Sequence, residues 1–156
     1  ESGRMAILAD PAGAVFSIWQ AGTHDGSEGS NEPGFMTWNE LATRDREAPQ
    51  AFYAEVFGWS FETADMENGI RYTMISNGGA PNGGIIQMDE NWPANIPPHW
   101  MVYFAVEDTE AAVAALKGLG GSVSVPPFDT PAGKTAVVSD PQGGTFSVIA
   151  LIPQDG

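Results

Sequence analysis

The chain has no cysteine in its 156 residues. Disulfides, thiolate nucleophiles and cysteine-held zinc are therefore excluded. Nothing here needs an oxidising compartment, and a cytoplasmic location is expected. Positive charge is scarce: 6 Lys and Arg stand against 20 Asp and Glu, a net charge of −14. Phosphate contacts need clustered Lys and Arg, so nucleic acid and anionic membrane surfaces are poor partners. No run of 18 apolar residues is present, so no membrane-spanning helix is expected. Histidine occurs only at His24 and His99, too few for a histidine metal cage. No signal-peptide pattern opens the chain, and its first residue, Glu1, is read as a processing boundary.

What is present fits one ordinary domain with a real core, since 42% of the residues are hydrophobic. The acidity serves solubility. It also steers any cationic small molecule favourably. The chain says one thing twice. Residues 3–20 (GRMAILADPAGAVFSIWQ) align without a gap on residues 133–150 (GKTAVVSDPQGGTFSVIA), with 7 of 18 positions identical. Each copy reads as a β-hairpin: two half-apolar strands around Asp-Pro-x-Gly. Proline presets φ for the turn, aspartate bonds the backbone two residues on, and glycine accepts positive φ. Only Glu1 and Ser2 precede the first copy. It reads as the tail of a unit whose front is missing. A lone hairpin is marginal in water, so it is expected to be docked.

Residues 21–34 are polar and rich in Gly and Ser, a linker. A strand over residues 36–45 then leads to a helix over 46–57, with Asp45 as N-cap and Gly58 as stop. Pro49 belongs in the first turn, because deeper in the helix it would cost about 3 kcal/mol. Strands near 59–64, 70–76 and 83–89 follow, with Gly78-Gly79 and Gly83-Gly84 marking the loop between the last two. A proline-rich connector covers 91–98. The order then repeats: a strand from His99, Asp108 as cap, a helix over 109–119 stopped by Gly120-Gly121, and strands near 122–126, 134–139 and 144–151. Asp45 to Asp108 and Gly58 to Gly121 share one offset of 63 residues. The chain thus reads as two βαβββ modules, 35–90 and 99–152, after an orphan hairpin within residues 1–20. The class is α+β.

The stretches WNELATRDREAPQAFYAEVFGW, PHWMVYFAVEDTEAA, VPPFDTPAGKTAVVSDPQGGTFSV and DPAGAVFSIWQ resemble the glyoxalase/bleomycin-resistance/dioxygenase superfamily, also called vicinal oxygen chelate. The resemblance covers essentially the whole chain. It implies paired modules whose sheets curl into an open, mixed barrel around one ligand cleft. It also implies a tandem-domain subgroup, in which residues 3–20 end a first domain and this chain is a C-terminal part. Such a fold hosts isomerases, lyases, dioxygenases, hydroxylases and drug-binding proteins, so it does not by itself fix activity.

In that superfamily the enzymes hold a divalent metal through four positions. Two lie on the first strand of each module, seven residues before the capping Asp. Two lie on the last strands. Here the resemblance places Trp38, Gln87, Met101 and Ser147 on them. None is a histidine or carboxylate: the indole nitrogen has no in-plane lone pair, and a thioether suits only soft metals. No cofactor and no divalent metal in this domain are expected. Glu40 and His99 lie two residues from Trp38 and Met101, on the same strand faces, but supply only two ligands.

Strand alternation assigns the cleft. Trp100, Val102, Phe104 and Val106 face the helix, and His99, Met101, Tyr103 and Ala105 face the cleft. Phe146, Val148 and Ala150 face the helix, and Thr145, Ser147 and Ile149 the cleft. Met36, Trp38, Glu40 and Ala42 share the cleft parity. Candidate ligand-binding residues are therefore Trp38, Glu40, Gln87, His99, Met101, Tyr103, Thr145 and Ser147. Apolar walls with a few convergent polar groups describe a small-molecule pocket. The competing reading is that these side chains are simply core, with Glu40 paired to Arg44 or Arg71 at the rim and His99 an ordinary hydrogen-bonded residue.

Two functions compete. The first is a metal-free receptor for a small organic molecule, cationic or aromatic, stacked on Trp38 and Tyr103 with Glu40 as counter-charge. The second is an enzyme of lyase, isomerase or hydroxylase type with Glu40 or His99 as general base, or with a metal in the missing N-terminal domain. A scaffold role has no peptide-binding signature in its favour. The remaining partners considered are that missing domain and a second copy.

Overall fold

A computed structural model describes residues 1–66 and 69–153. The architecture is α+β, with eight strands in a mixed, unclosed sheet, two helices, and a separate two-stranded sheet. No helix among the described residues is long and apolar enough to cross a membrane. The chain divides into two compact units. One comprises Glu1–Ser27 with Asn39–Trp100, the other Glu28–Trp38 with Met101 onward.

In the first unit, β1 (Gly3–Ala9) and β2 (Val15–Ala21) form the antiparallel hairpin. Asp10 builds its turn: Oδ1 accepts from Ala12 N and Ala14 N, both at 2.9 Å. The strand β3 (Met36–Thr43), which belongs to this unit from Asn39 on, leads into α1 (Glu47–Phe57). Arg46, with helical backbone angles and no capping side-chain bond, stands at the N-cap of α1, and Asp45, one residue before it, serves the first turn instead, its Oδ1 accepting from Glu47 N at 2.9 Å and Ala48 N at 3.4 Å. Pro49 sits in the first turn and is buried. Gly58 stops the helix at φ 69°, a conformation that costs a glycine least.

Next come β4 (Ser60–Asp65), β5 (Arg71–Asn77) and β6 (Ala80–Gln87). The β5–β6 hairpin turns on Gly78 and Gly79, both at positive φ, as a two-residue turn requires. The expectation that Gly83-Gly84 belong to that loop is corrected: both lie inside β6. They are needed for close approach. A Cβ on Gly83 would lie 2.6 Å from the carbonyl oxygen of Asn39, and one on Gly84 would overlap the phenol oxygen of Tyr72. The core of this unit joins Leu41, Tyr53, Ile75, Ile85 and Ala14, ringed by Phe16, Phe52, Phe57, Trp59, Phe61 and Trp100. The hairpin is docked: the Phe16 ring meets Phe52, Tyr53 and Phe57 edge-on. Tyr53 Oη donates to Asp10 Oδ2 at 3.1 Å and accepts from Trp100 Nε1 at 2.9 Å. Burial, above all, raises the Tyr53 phenol far above its ordinary pKa; the Asp10 carboxylate adds to the rise and the Trp100 bond opposes it.

The second unit holds β7 (His99–Ala105) from Met101 on, α2 (Thr109–Gly118), β8 (Ser122–Thr130), β9 (Gly133–Ser139) and β10 (Thr145–Leu151). Asp108 caps α2, accepting from Ala111 N at 2.8 Å. The end of the linker is tied down, with Gly34 N and Phe35 O both bonded to Ala105. β10 pairs parallel with β7 and antiparallel with β9, whose other edge takes β8. Val113 of α2 packs on Ala136, Val138 and Val148, so the even-numbered face of β10 turns to the helix as alternation requires.

Candidate functional site

In the second unit, the face of β7 and β10 turned from α2 carries Met101, Tyr103, Thr145 and Ser147. Ser147 lies directly beside Tyr103 on one side and Val137 on the other. Met101 and Tyr103 are half-buried, as is Trp38. The hydroxyls here are satisfied with one exception. Thr135 donates to Val148 O at 3.0 Å, and Ser139 and Thr145 share a bond at 2.9 Å. Ser147 is 0% exposed, and its Oγ has no partner. A buried unpaired hydroxyl costs about 1–3 kcal/mol, a cost that an incoming polar atom would offset.

In the first unit, Glu40 is half-buried and its Oε2 accepts from Tyr72 Oη at 2.8 Å. Arg44 donates to the carbonyls of Asp89 and Pro93, and Arg71 pairs with Asp65 at 2.7 Å. That exposed pair lowers the Asp65 pKa, chiefly through the Arg71 hydrogen bond. His99 makes an ordinary turn contact, Nδ1 to Pro97 O at 2.9 Å.

Gln87 requires a correction. Glu40 pairs with Gly84 and Thr43 with Gln87 in the parallel β3–β6 ladder. Paired residues share a face, so Gln87 lies on the side of Leu41 and Ile85, facing α1. Its Nε2 donates to Arg44 O at 2.7 Å. In the second unit Tyr103 pairs with Ser147, and Tyr103 follows Glu40 by the module offset of 63. The counterpart of Ser147 is therefore Gly84, not Gln87. The space that a side chain on Gly84 would fill is taken by the Tyr72 phenol. Sequence reasoning missed Tyr72; a glycine in mid-strand was the one signal that something closes on it.

With that change of register, the four sequence positions that the resemblance assigns to metal ligands read Trp38, Gly84, Met101 and Ser147. They offer one neutral hydroxyl, one thioether, an indole and no side chain at all. This donor set does not fit a hard divalent cation, which needs carboxylate or imidazole ligands. Among the described residues, no group of three His, Asp or Glu is clustered for a metal ion.

Residues 38–149 match the family model described as a glyoxalase-like domain. A protein of Mycobacterium bovis named "Putative glyoxylase CFP32" is 41% identical over 99% of this chain and 58% of its own length. The anthracycline biosynthesis protein DnrV of Streptomyces peucetius is 38% identical over 96% of this chain and 53% of its own. The chain therefore spans little more than half the length of these relatives. In fold, it is similar to the methylmalonyl-CoA epimerase of Mycobacterium tuberculosis. The TM-score is 0.56 at 15% identity, over 76% of this chain and 88% of that one.

Proposed function

The chain belongs to the glyoxalase-like domain family, and from that premise we propose that it binds a small organic molecule without the divalent metal of the superfamily's enzymes. The observation that carries this reading is the orphaned Ser147 Oγ. It lies beside Tyr103, on the strand face opposite α2. A ligand hydroxyl, carbonyl or amine would complete its hydrogen bonding once the side chains that cover the fully buried Ser147 move aside, and Trp38, Met101 and Tyr103 would supply apolar and stacking surface. The net charge of −14 favours a cationic ligand. One relative is named for anthracycline biosynthesis, and planar aromatic compounds of that kind suit stacking on indole and phenol rings.

Calorimetry against an anthracycline and a panel of smaller cationic aromatics tests the reading. Binding is expected with no added metal and in the presence of EDTA. Ser147→Ala weakens it about tenfold, the worth of one hydrogen bond, and Trp38→Ala weakens it further. Affinity unchanged in both variants removes the site.

A second reading is an enzyme of lyase, isomerase or hydroxylase type, with Glu40 as general base. It is favoured by the half-buried Glu40 carboxylate held in place by Tyr72. Turnover of a diol or hemithioacetal that Glu40→Gln abolishes would support it. In both readings the chain is the C-terminal part of a tandem protein, with the β1–β2 hairpin closing a preceding glyoxalase-like domain.

A further inference from the structure

In the second unit, β7 from Met101 on, β9 and β10 contain no Asp or Glu. On the face turned from α2 their polar groups are hydroxyls. Ser139 and Thr145 stand opposite each other in the β9–β10 ladder, and their oxygens share one hydrogen bond at 2.9 Å. Two hydroxyls bring two protons, and that bond uses one of them. Thr135, on the same face, spends its proton on Val148 O at 3.0 Å. Ser147, two residues beyond Thr145, is 0% exposed with an unpartnered Oγ. The face therefore holds two uncommitted O–H donors, one at the Ser139–Thr145 pair and one at Ser147. Residues two apart on a strand lie roughly 6.5–7 Å apart. The row runs inward, from exposed Thr145 past Ser139, 8% exposed, to Ser147. The hairpin itself does not require the hydroxyl pair, since β1–β2, with the same turn and register, has Ala9 and Val15 in these places.

We propose that this row selects the ligand: a neutral aromatic ring with carbonyl oxygens on opposite sides, as in a quinone, one oxygen on Ser147 and the other on the Ser139–Thr145 pair. The inference rests on the small-molecule reading above and narrows it. Uncommitted protons call for acceptors, and a carbonyl oxygen is an acceptor that brings no charge. The net charge of −14 draws a cation toward the molecule, but not onto this face. A cationic group set here would lose its water with no carboxylate on these strands to meet it. The acidic residue of the connecting turn, Asp140, spends its Oδ1 on the amides of Gln142 and Gly144. Ser147 takes its oxygen once its cover moves aside, while the exposed Thr145 meets the ligand first. A site built on such bonds rejects an analogue that lacks one oxygen, which an apolar wall does poorly.

Calorimetry of this chain with three probes of one size tests the proposal: 1,4-naphthoquinone, tetralone with its single carbonyl, and the naphthylmethylammonium ion. The chain has no cysteine, so the quinone meets no thiol to react with. The quinone is expected to bind about tenfold tighter than tetralone, the worth of one hydrogen bond, and tighter still than the ammonium ion. Thr145→Val with Ser139→Ala removes the second donor and brings the quinone down to the tetralone affinity. Ser139→Ala alone leaves Thr145 its proton and keeps the preference. Thermal melts check that both variants are folded. A quinone preference that survives the double variant overturns the proposal. If the ammonium ion binds best, and Trp38→Ala and Ser147→Ala weaken it, the proposal falls and the receptor reading stands. If no probe binds but an anthracycline does, the proposal again falls alone. If neither the probes nor an anthracycline bind, both fall.

Discussion

The hairpins β1–β2 and β9–β10 share a turn, a register and seven of eighteen residues, yet only the second is enclosed on both edges and on its helix face. In each turn an aspartate Oδ1 takes two backbone amides, Ala12 and Ala14 for Asp10, Gln142 and Gly144 for Asp140. Local sequence therefore suffices to set the turn and the pairing. It does not determine what packs on the strands. The second hairpin is held by a sheet and a helix, and the first by one aromatic cluster and one hydrogen-bonded chain, Asp10–Tyr53–Trp100. The first is accordingly the more fragile.

Breaking that chain at its centre gives the largest expected effect. Tyr53 is fully buried and touches Phe16, Phe52, Phe57, Trp59 and Trp100. Tyr53→Ala should cost about 3–5 kcal/mol in urea unfolding. The equivalent helix position in the second unit, Leu116, is only half-buried, and Leu116→Ala should cost about 2 kcal/mol. Equal losses would mean that the first hairpin does not depend on this cluster. The same residue predicts a pH dependence. The raised Tyr53 pKa favours the neutral phenol in the fold, so its contribution is complete below pH 10, the ordinary tyrosine value, and is lost as the pH rises above it. Tyr53→Phe should flatten this alkaline loss. The difference between the two proteins isolates Tyr53.

A smaller effect separates the two aspartates. Asp10 is 5% exposed and serves both its turn and Tyr53, while the turn bonds of Asp140 are exposed to solvent. Asp10→Ala should cost about 2–3 kcal/mol, because it also leaves the Tyr53 hydroxyl without its acceptor, and Asp140→Ala about 1 kcal/mol. Thermal melts of the two variants check the order. If the order is reversed, the buried bond to Tyr53 adds nothing.

Much of this was legible in the sequence for identifiable reasons. Asp108 and Gly58 announced helix ends, and Asp45 announced its helix to within one residue, because caps are local chemistry. The Asp-Pro-x-Gly turns announced both hairpins. What failed was register in the first module. A pair of glycines reads as a turn, but Gly83 and Gly84 are there because the Asn39 backbone and the Tyr72 ring press on them from outside the strand. The β5–β6 ladder also shifts register between Ile75 and Ser76, which no periodicity reveals. Hence Gln87 was placed where Gly84 stands, and Tyr72 was overlooked. The docking of the hairpin was foreseeable as a need, but its partner was not, since Tyr53 is 43 residues from Asp10.

The finest comparison is between two serines that occupy the same place in the repeat. Ser17 on β2 is exposed, and Ser147 on β10 is fully buried with an unpaired hydroxyl. Removing an unpaired buried hydroxyl relieves its desolvation cost, so Ser147→Ala should stabilise the chain by about 1 kcal/mol, read as a rise in Tm. Ser17→Ala should change stability by less than about 0.5 kcal/mol, as for other exposed positions. A stabilising Ser147→Ala that also weakens ligand binding would mark a residue kept at a cost to the fold, as a binding group is. A destabilising Ser147→Ala would mean that the hydroxyl already has a partner, and the proposed contact would lose its physical basis.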